Sequence, residues 1–231
     1  MRIIALSLLA ILAMPAAAQA EERRYSVTDY NQLRIDGGFR IQLETDRSPF
    51  AVAEGNSAAL DGVRIRVEGR TLIVSANRSN WSGNERDRAQ PVTIRLGAHR
   101  LERLWVNGSG LIEVDSIEGQ KFGLAIQGSG RAVIHHVEVD TLDVGLNGAA
   151  SAQIGGDVED ATLIVRGMSN LDAQGLEADR ATLGVDGPSI VAMGSAQEVR
   201  VDAIGVGEIS LAGRPACELR LVGAPLVTGC K

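Results

Sequence analysis

The chain has 231 residues, 27 of them glycine, with 3% aromatic residues and a formal net charge of −6. That acidity argues against nucleic-acid binding, which needs a basic face, and the scarcity of aromatics argues against the girdled strands of a membrane barrel. Val, Ile and Leu alternate with polar residues and are broken by glycine, the pattern of strands and tight turns in an all-β chain.

Residues 1–20 read as a secretory signal peptide. Met1-Arg2 supplies the positive start, Ile3 to Met14 is apolar, and Ala18-Gln19-Ala20 fits a signal-peptidase site. The apolar run is short for a bilayer span, and no cysteine near the cleavage point offers a lipid anchor. No later stretch is long and apolar enough for a transmembrane helix. The expectation is a bacterial exported protein, periplasmic, secreted or associated with the cell surface. Its net charge would be −7 once Arg2 is removed.

Residues 21–98 form a less regular β segment. Leu33 and Ile35 precede Gly37, and Ile41 and Leu43 follow it. Val63, Ile65 and Val67 precede Gly69, with Leu72 and Val74 after it, and Val92, Ile94 and Leu96 mark one more strand. Ser75 to Pro91 is polar and aperiodic, a surface loop in which Trp81, with Arg78, Arg86 and Arg88, is a candidate contact patch. The segment is expected to lead into the repetitive part and cover its first end.

Residues 99–231 repeat. Gly108, Gly128, Gly148, Gly167, Gly187, Gly205 and Gly223 are spaced by 20, 20, 19, 20, 18 and 18 residues. Offsets −6, −4, −2, +4 and +6 from these glycines define five columns of seven residues. Of these 35 positions, 33 are apolar, against about 16 for a chain that is 45% hydrophobic. Residues two apart share one face of a strand, and glycine can take the positive φ of a corner. One such coil cannot bury its own apolar face, but stacked coils can. The prediction is a β-solenoid, a β-helix-like stack of rungs of about 20 residues, with an N-terminal β cap.

The position before each anchor glycine reads Asn107, Gln127, Asn147, Arg166, Asp186, Ile204 and Val222. Stacked amides can bond along such an axis. With Trp105 on the same face, Asn107, Gln127 and Asn147 form a candidate ligand-binding strip for a surface glycan or an envelope protein. Cys217 and Cys230, thirteen positions apart in the last rung, are expected to form a structural disulfide that pins the C-terminal coil.

Catalytic and metal chemistry find little support. Asp143, Asp172, Asp186 and Asp202 point outward, and Asp186 with Asp202 on neighbouring rungs is the one pair that a polysaccharide hydrolase or lyase could use. His135 and His136, adjacent on a strand, are expected to face opposite ways and not to share a metal. His99 is remote in sequence. Phosphate loops, nucleophile elbows and calcium repeats are missing, so neither cofactor nor metal is expected.

Three ordered phrases, YNQLRIDGGFRIQLETDRSPFAVAEG, LDGVRIRVEGRTLIVSA and PVTIRLGAHRLERLWVNGSGLIEV, together resemble the GIN domain family, labelled auto-transporter adhesin heads. The resemblance spans about residues 25–228. It implies an exported solenoid-like fold and brings no catalytic residues. No barrel-forming run follows the repeats, so a head without its own translocator is expected. The leading reading is a non-enzymatic, adhesin-like or envelope-binding module; a carbohydrate-active enzyme and a protein-binding, self-associating scaffold are the alternatives. N-terminal sequencing of the protein exported from a bacterial host should begin at Glu21; a start at Met1 would refute the signal-peptide reading.

Overall fold

The computed structural model describes residues 21–77 and 92–231. In chain order the elements are β1 (Glu21–Tyr25), β2 (Gln32–Asp36), β3 (Arg40–Glu44), β4 (Phe50–Gly55), α1 (Ser57–Asp61), β5 (Val63–Glu68), β6 (Thr71–Ala76), β7 (Thr93–Gly97), β8 (Arg103–Gly108) and β9 (Leu111–Gly128). There follow β10 (Arg131–Gly148), β11 (Ser151–Gly167), β12 (Asn170–Asp186), β13 (Ile190–Met193), β14 (Ala196–Gly205), β15 (Glu208–Leu211), β16 (Ala216–Gly223) and β17 (Leu226–Thr228). The molecule is a β-solenoid of about six turns.

The five apolar columns stack as the spacing requires. Leu104, Leu124, Val144, Leu163, Leu183, Val201 and Leu219 are register partners in one parallel ladder. Ile112, Ala132, Ala152, Leu171, Val191, Ile209 and Val227 form another. Most of their side chains are buried in one continuous core. All seven anchor glycines lie at φ between 83° and 114°. At Gly148 a Cβ would also sit 2.6 Å from the carbonyl oxygen of Gly128 on the coil beneath. The corner therefore excludes side chains twice, through its own backbone conformation and through the neighbouring corner.

Two features differ from a simple reading of the repeat. Each coil has a third face. In β9 to β12 the strand runs on from one glycine corner to the next, and the ladder skips a partner at His135 and again at Asp140. These bends bring Ile117, Val137 and Leu176 into the core as a further buried row. The first bend also explains why His135 and His136 are both exposed, not on opposite faces: the strand is irregular there, and its period of two is interrupted.

The second difference is the order of the coils. β2 pairs in parallel with both β6 and β8, and β3 with both β7 and β9. The coil built from β2 and β3 thus lies between β6–β7 and β8–β9, although it comes first in the chain. Beyond β6 and β7 lie β5 and β4, both antiparallel to the stack, and β1 pairs with β4. The short helix α1 is capped by the Asn56 side chain, which accepts from the Ala59 N–H at 2.7 Å. It buries Ala59 and Leu60 at this end of the core.

At the other end, Cys217 and Cys230 are joined by a disulfide. The N–H of Lys231 donates to the Pro215 carbonyl at 3.2 Å, so the last coil closes on itself. Closing a loop of this length is worth about 3 kcal/mol on a chain-entropy estimate. Replacing both cysteines by serine should speed amide exchange in residues 216–228 ahead of the rest of the stack, as read by hydrogen-exchange mass spectrometry. Gly148→Ala should cost about 2 kcal/mol in urea unfolding, whereas Gly145→Ala on the same strand, free of positive φ, should be neutral or stabilising.

Candidate functional site

The outward rows of the face that precedes each glycine corner carry a candidate site. One row runs from Trp105 through Ala125, Gly145, Ile164, Gly184 and Asp202 to Arg220, each the register partner of the next. Two consecutive rungs of this row, Ala125 and Gly145, carry almost no side chain, and Gly123 adds a third small position beside Ala125. The result is a trough floored by Gly123, Ala125 and Gly145 and walled by Trp105 and Ile164. The walls stand three strand spacings apart, about 14 Å.

The two floor glycines are not corner glycines. At Gly145 a Cβ would meet nothing nearer than the Leu124 carbonyl oxygen at 4.0 Å, and at Gly123 nothing nearer than Arg103 Cγ at 3.8 Å. Gly184, by contrast, leaves room for Ile164, whose Cδ1 would lie 2.8 Å from its Cβ. Glycine inside a strand gives up roughly 0.5–1 kcal/mol against alanine. No turn or backbone approach accounts for Gly123 and Gly145, and such glycines mark places where something else comes close.

Polar groups line both flanks. On one side Lys121 pairs with Asp143 at 2.7 Å, with Arg103 and Thr162 alongside. On the other side Asn107, Gln127 and Asn147 stack as consecutive register partners, all outward. Asn107 donates from Nδ2 to Asp36 Oδ1 at 2.7 Å, which anchors the foot of this ladder. Trp105 and Asn107 also border a second depression, with Arg34, Thr71 and Ile73. Of the five ligand-binding residues expected from sequence, four lie on this outward face: Trp105 and Asn107 adjoin one another, and Gln127 and Asn147 stand one and two rungs further on. The fifth, Trp81, lies outside the described residues with the rest of its arginine-rich patch.

Sequence reading missed the floor and the far wall. Its signal was present in the row three residues before each anchor, where Ala125 and Gly145 follow Trp105. That signal has meaning only once the register is known.

The acidic candidates are engaged or dispersed. Asp143 pairs with Lys121, and Asp202 pairs with Arg200 at 3.2 Å. Asp172 accepts from the Gln174 N–H at 3.2 Å. Asp186 is the register partner of Ile204, and Asp202 of Gly184, so the two carboxylates are offset by two residues across neighbouring rungs. Elsewhere Arg180 donates two hydrogen bonds to Asp160, holding its carboxyl below the usual carboxylate range. His135 lies 2.8 Å from Glu113. Among the described residues no group of three or more His, Cys, Asp or Glu is arranged to hold a metal ion, and no helix is long and apolar enough to cross a membrane.

Comparison with known proteins follows this architecture. Residues 29–215 match the family described as "Putative auto-transporter adhesin, head GIN domain". A crystal structure of a putative adhesin from Bacteroides fragilis superposes with a TM-score of 0.81 at 18% identity, covering 91% of this chain and 97% of that one. A putative lipid binding protein from Parabacteroides distasonis gives 0.65 at 16% identity, covering 92% and 95%. A putative adhesin from Parabacteroides merdae gives 0.63 at 14% identity, covering 91% and 95%. At these identities the similarity is one of fold. No curated protein matches the chain. Because Trp105 is half-buried against the trough, its fluorescence should blue-shift on ligand binding, and Trp105→Phe should lose that signal while keeping the aromatic wall; an unshifted spectrum with a bound ligand would place the ligand elsewhere.

Proposed function

The chain belongs to the GIN head-domain family of auto-transporter adhesins, and from that premise we propose that it is an exported, non-enzymatic binding module whose trough beside Trp105 holds a surface glycan. The observation that carries the reading is the pair of strand glycines, Gly123 and Gly145, that keep the trough open without serving the fold. The indole of Trp105 offers an apolar plate with a polar edge, the surface on which a sugar ring stacks. Asn107, Gln127 and Asn147 present amide donors and acceptors, and Lys121, Asp143 and Arg103 supply charged partners for hydroxyl groups. Binding sites combine such an apolar surface with a few placed polar groups. The rungs are rigid, so the site loses little conformational freedom on binding.

Export is supported by the signal-like residues 1–20 and by a disulfide, which persists in oxidising compartments. The non-enzymatic assignment draws support from the four aspartates considered for catalysis: Asp143 and Asp202 stand in ion pairs, Asp172 accepts from the Gln174 N–H, and Asp186 is offset from Asp202 by two residues.

A glycan array with the purified, disulfide-bonded protein tests this reading. Selective binding is expected, with at least about a tenfold loss for Trp105→Ala. Gly145→Phe, which the backbone accommodates, should fill the trough and abolish binding at unchanged Tm. Wild-type silence across the array, or full binding by both variants, would refute the site. Release of shortened polysaccharide in the same preparations would refute the non-enzymatic assignment.

A further inference from the structure

The two ends of the solenoid are finished differently. At the N-terminal end α1 and the antiparallel strands β1, β4 and β5 close the core, and Val63 of the outermost β5 is buried. At the other end no element among the described residues lies above β16. Leu219 and Leu221 occupy inward columns that are buried in earlier coils, yet they are 43% and 44% exposed. β16 pairs with β14 alone and β17 with β15 alone, so one edge of each keeps its backbone donors and acceptors unpaired. Such an edge is a template for another strand.

Proteins often protect an edge with charges of one sign, which repel a second copy. The charges on β16 do the opposite. Its outward residues Glu218 and Arg220 sit above Arg200 and Asp202 of β14, in a checkerboard of alternating sign. Arg200 reaches Glu218 at 3.8 Å, Arg220 reaches Asp202 at 3.9 Å, and Arg220 reaches Glu218 at 3.4 Å. Glu218 and Arg220 remain mostly exposed.

We propose that the protein forms a two-fold dimer in which β16 pairs antiparallel with β16 of a second copy, Leu219 facing Leu219. This pairing keeps the inward residues inward, with Cys217 opposite Leu221. It sets Glu218 against Arg220 of the second copy and Arg220 against Glu218. The checkerboard then continues unbroken: Arg200, Glu218, Arg220 of the second copy, Asp202 of the second copy. The adjacent registers that preserve the inward face place Glu218 against Glu218, or Arg220 against Arg220. Charge therefore selects one register of the three. The exposed Leu219 and Leu221 are covered in the same step, as the same rows are covered within the stack.

The symmetry is isologous, so the assembly closes at two copies. The two-fold axis stands perpendicular to the trough-bearing face. Both troughs then look the same way, their Gly145 floors about 43 Å apart by nine strand spacings. If the troughs bind glycan as proposed above, the dimer engages one surface with two sites, and avidity follows without any new contact. The dimer itself does not depend on that reading.

Sedimentation velocity over about 1 to 100 µM protein tests the assembly. The wild type should move from monomer to dimer and no further. Glu218→Arg and Arg220→Glu, each alone, should weaken the dimer by at least about tenfold, because each sets like charges opposite one another. An equimolar mixture of the two variants should dimerise again, since every opposed pair is then complementary; rescue on mixing separates a lost contact from a damaged fold. A wild type that stays monomeric would overturn the proposal. So would growth into longer polymers, which requires a head-to-tail contact, or two charge variants that each dimerise as the wild type does.

Discussion

Every coil of this protein must turn its corner in the space left by the corner beneath it. The anchor glycines lie one above another, and at Gly128, Gly148, Gly167 and Gly223 a Cβ would fall within 2.7 Å of the preceding corner's carbonyl oxygen. Each corner is thus both a conformational requirement of its own coil and a packing requirement of the next. Once the corners coincide, the flanking strands have no freedom of register, because a slip by one residue would exchange inward and outward side chains. The apolar columns, the continuous core and the flat outer faces are consequences of that stacking.

The same constraint frees the outward rows. A side chain there needs only to tolerate its neighbours one rung above and below. Some of those neighbours carry compensating charge, such as Lys121 with Asp143 and Arg180 with Asp160, and solvent screens exposed pairs of this kind so that they couple only weakly. Such weak coupling lets a site be formed by omission. Gly123, Ala125 and Gly145 remove side chains from an otherwise crowded face, and Trp105 and Ile164 remain as walls. The fold sets the spacing of the site and leaves its chemistry to the choice of a few residues.

A stack of coils must also end, and here the two ends are unlike. The first end folds back on itself. The coil of β2 and β3 is built into the interior, and the chain then goes outward to make a further coil and an antiparallel cover. The last coil is closed laterally by Cys217–Cys230, but no element among the described residues lies over it. A disulfide holds the coil's shape without satisfying its free strand edge or covering Leu219 and Leu221. The alternating charges of β16 fit that unfinished end to a complementary surface.

The class of fold can be read along the chain, because a solenoid writes the same demand every 18 to 20 residues: a glycine at the corner and apolar residues at fixed offsets. The family resemblance and the pairing of Cys217 with Cys230 were legible for the same reason, since both lie along the chain in order. Trp105, Asn107, Gln127 and Asn147 could be placed on one face from their offsets alone. The third face could not, because the bends near His135 and Asp140 interrupt the period of two. Nor could the placement of β2 and β3 between later strands, because parallel coils of similar pattern can stack in more than one order. The trough, the exposed Leu219 and Leu221 and the charge checkerboard were decided by tertiary structure. Each depends on which residue lies one rung away, and that relation exists only after the coils have stacked.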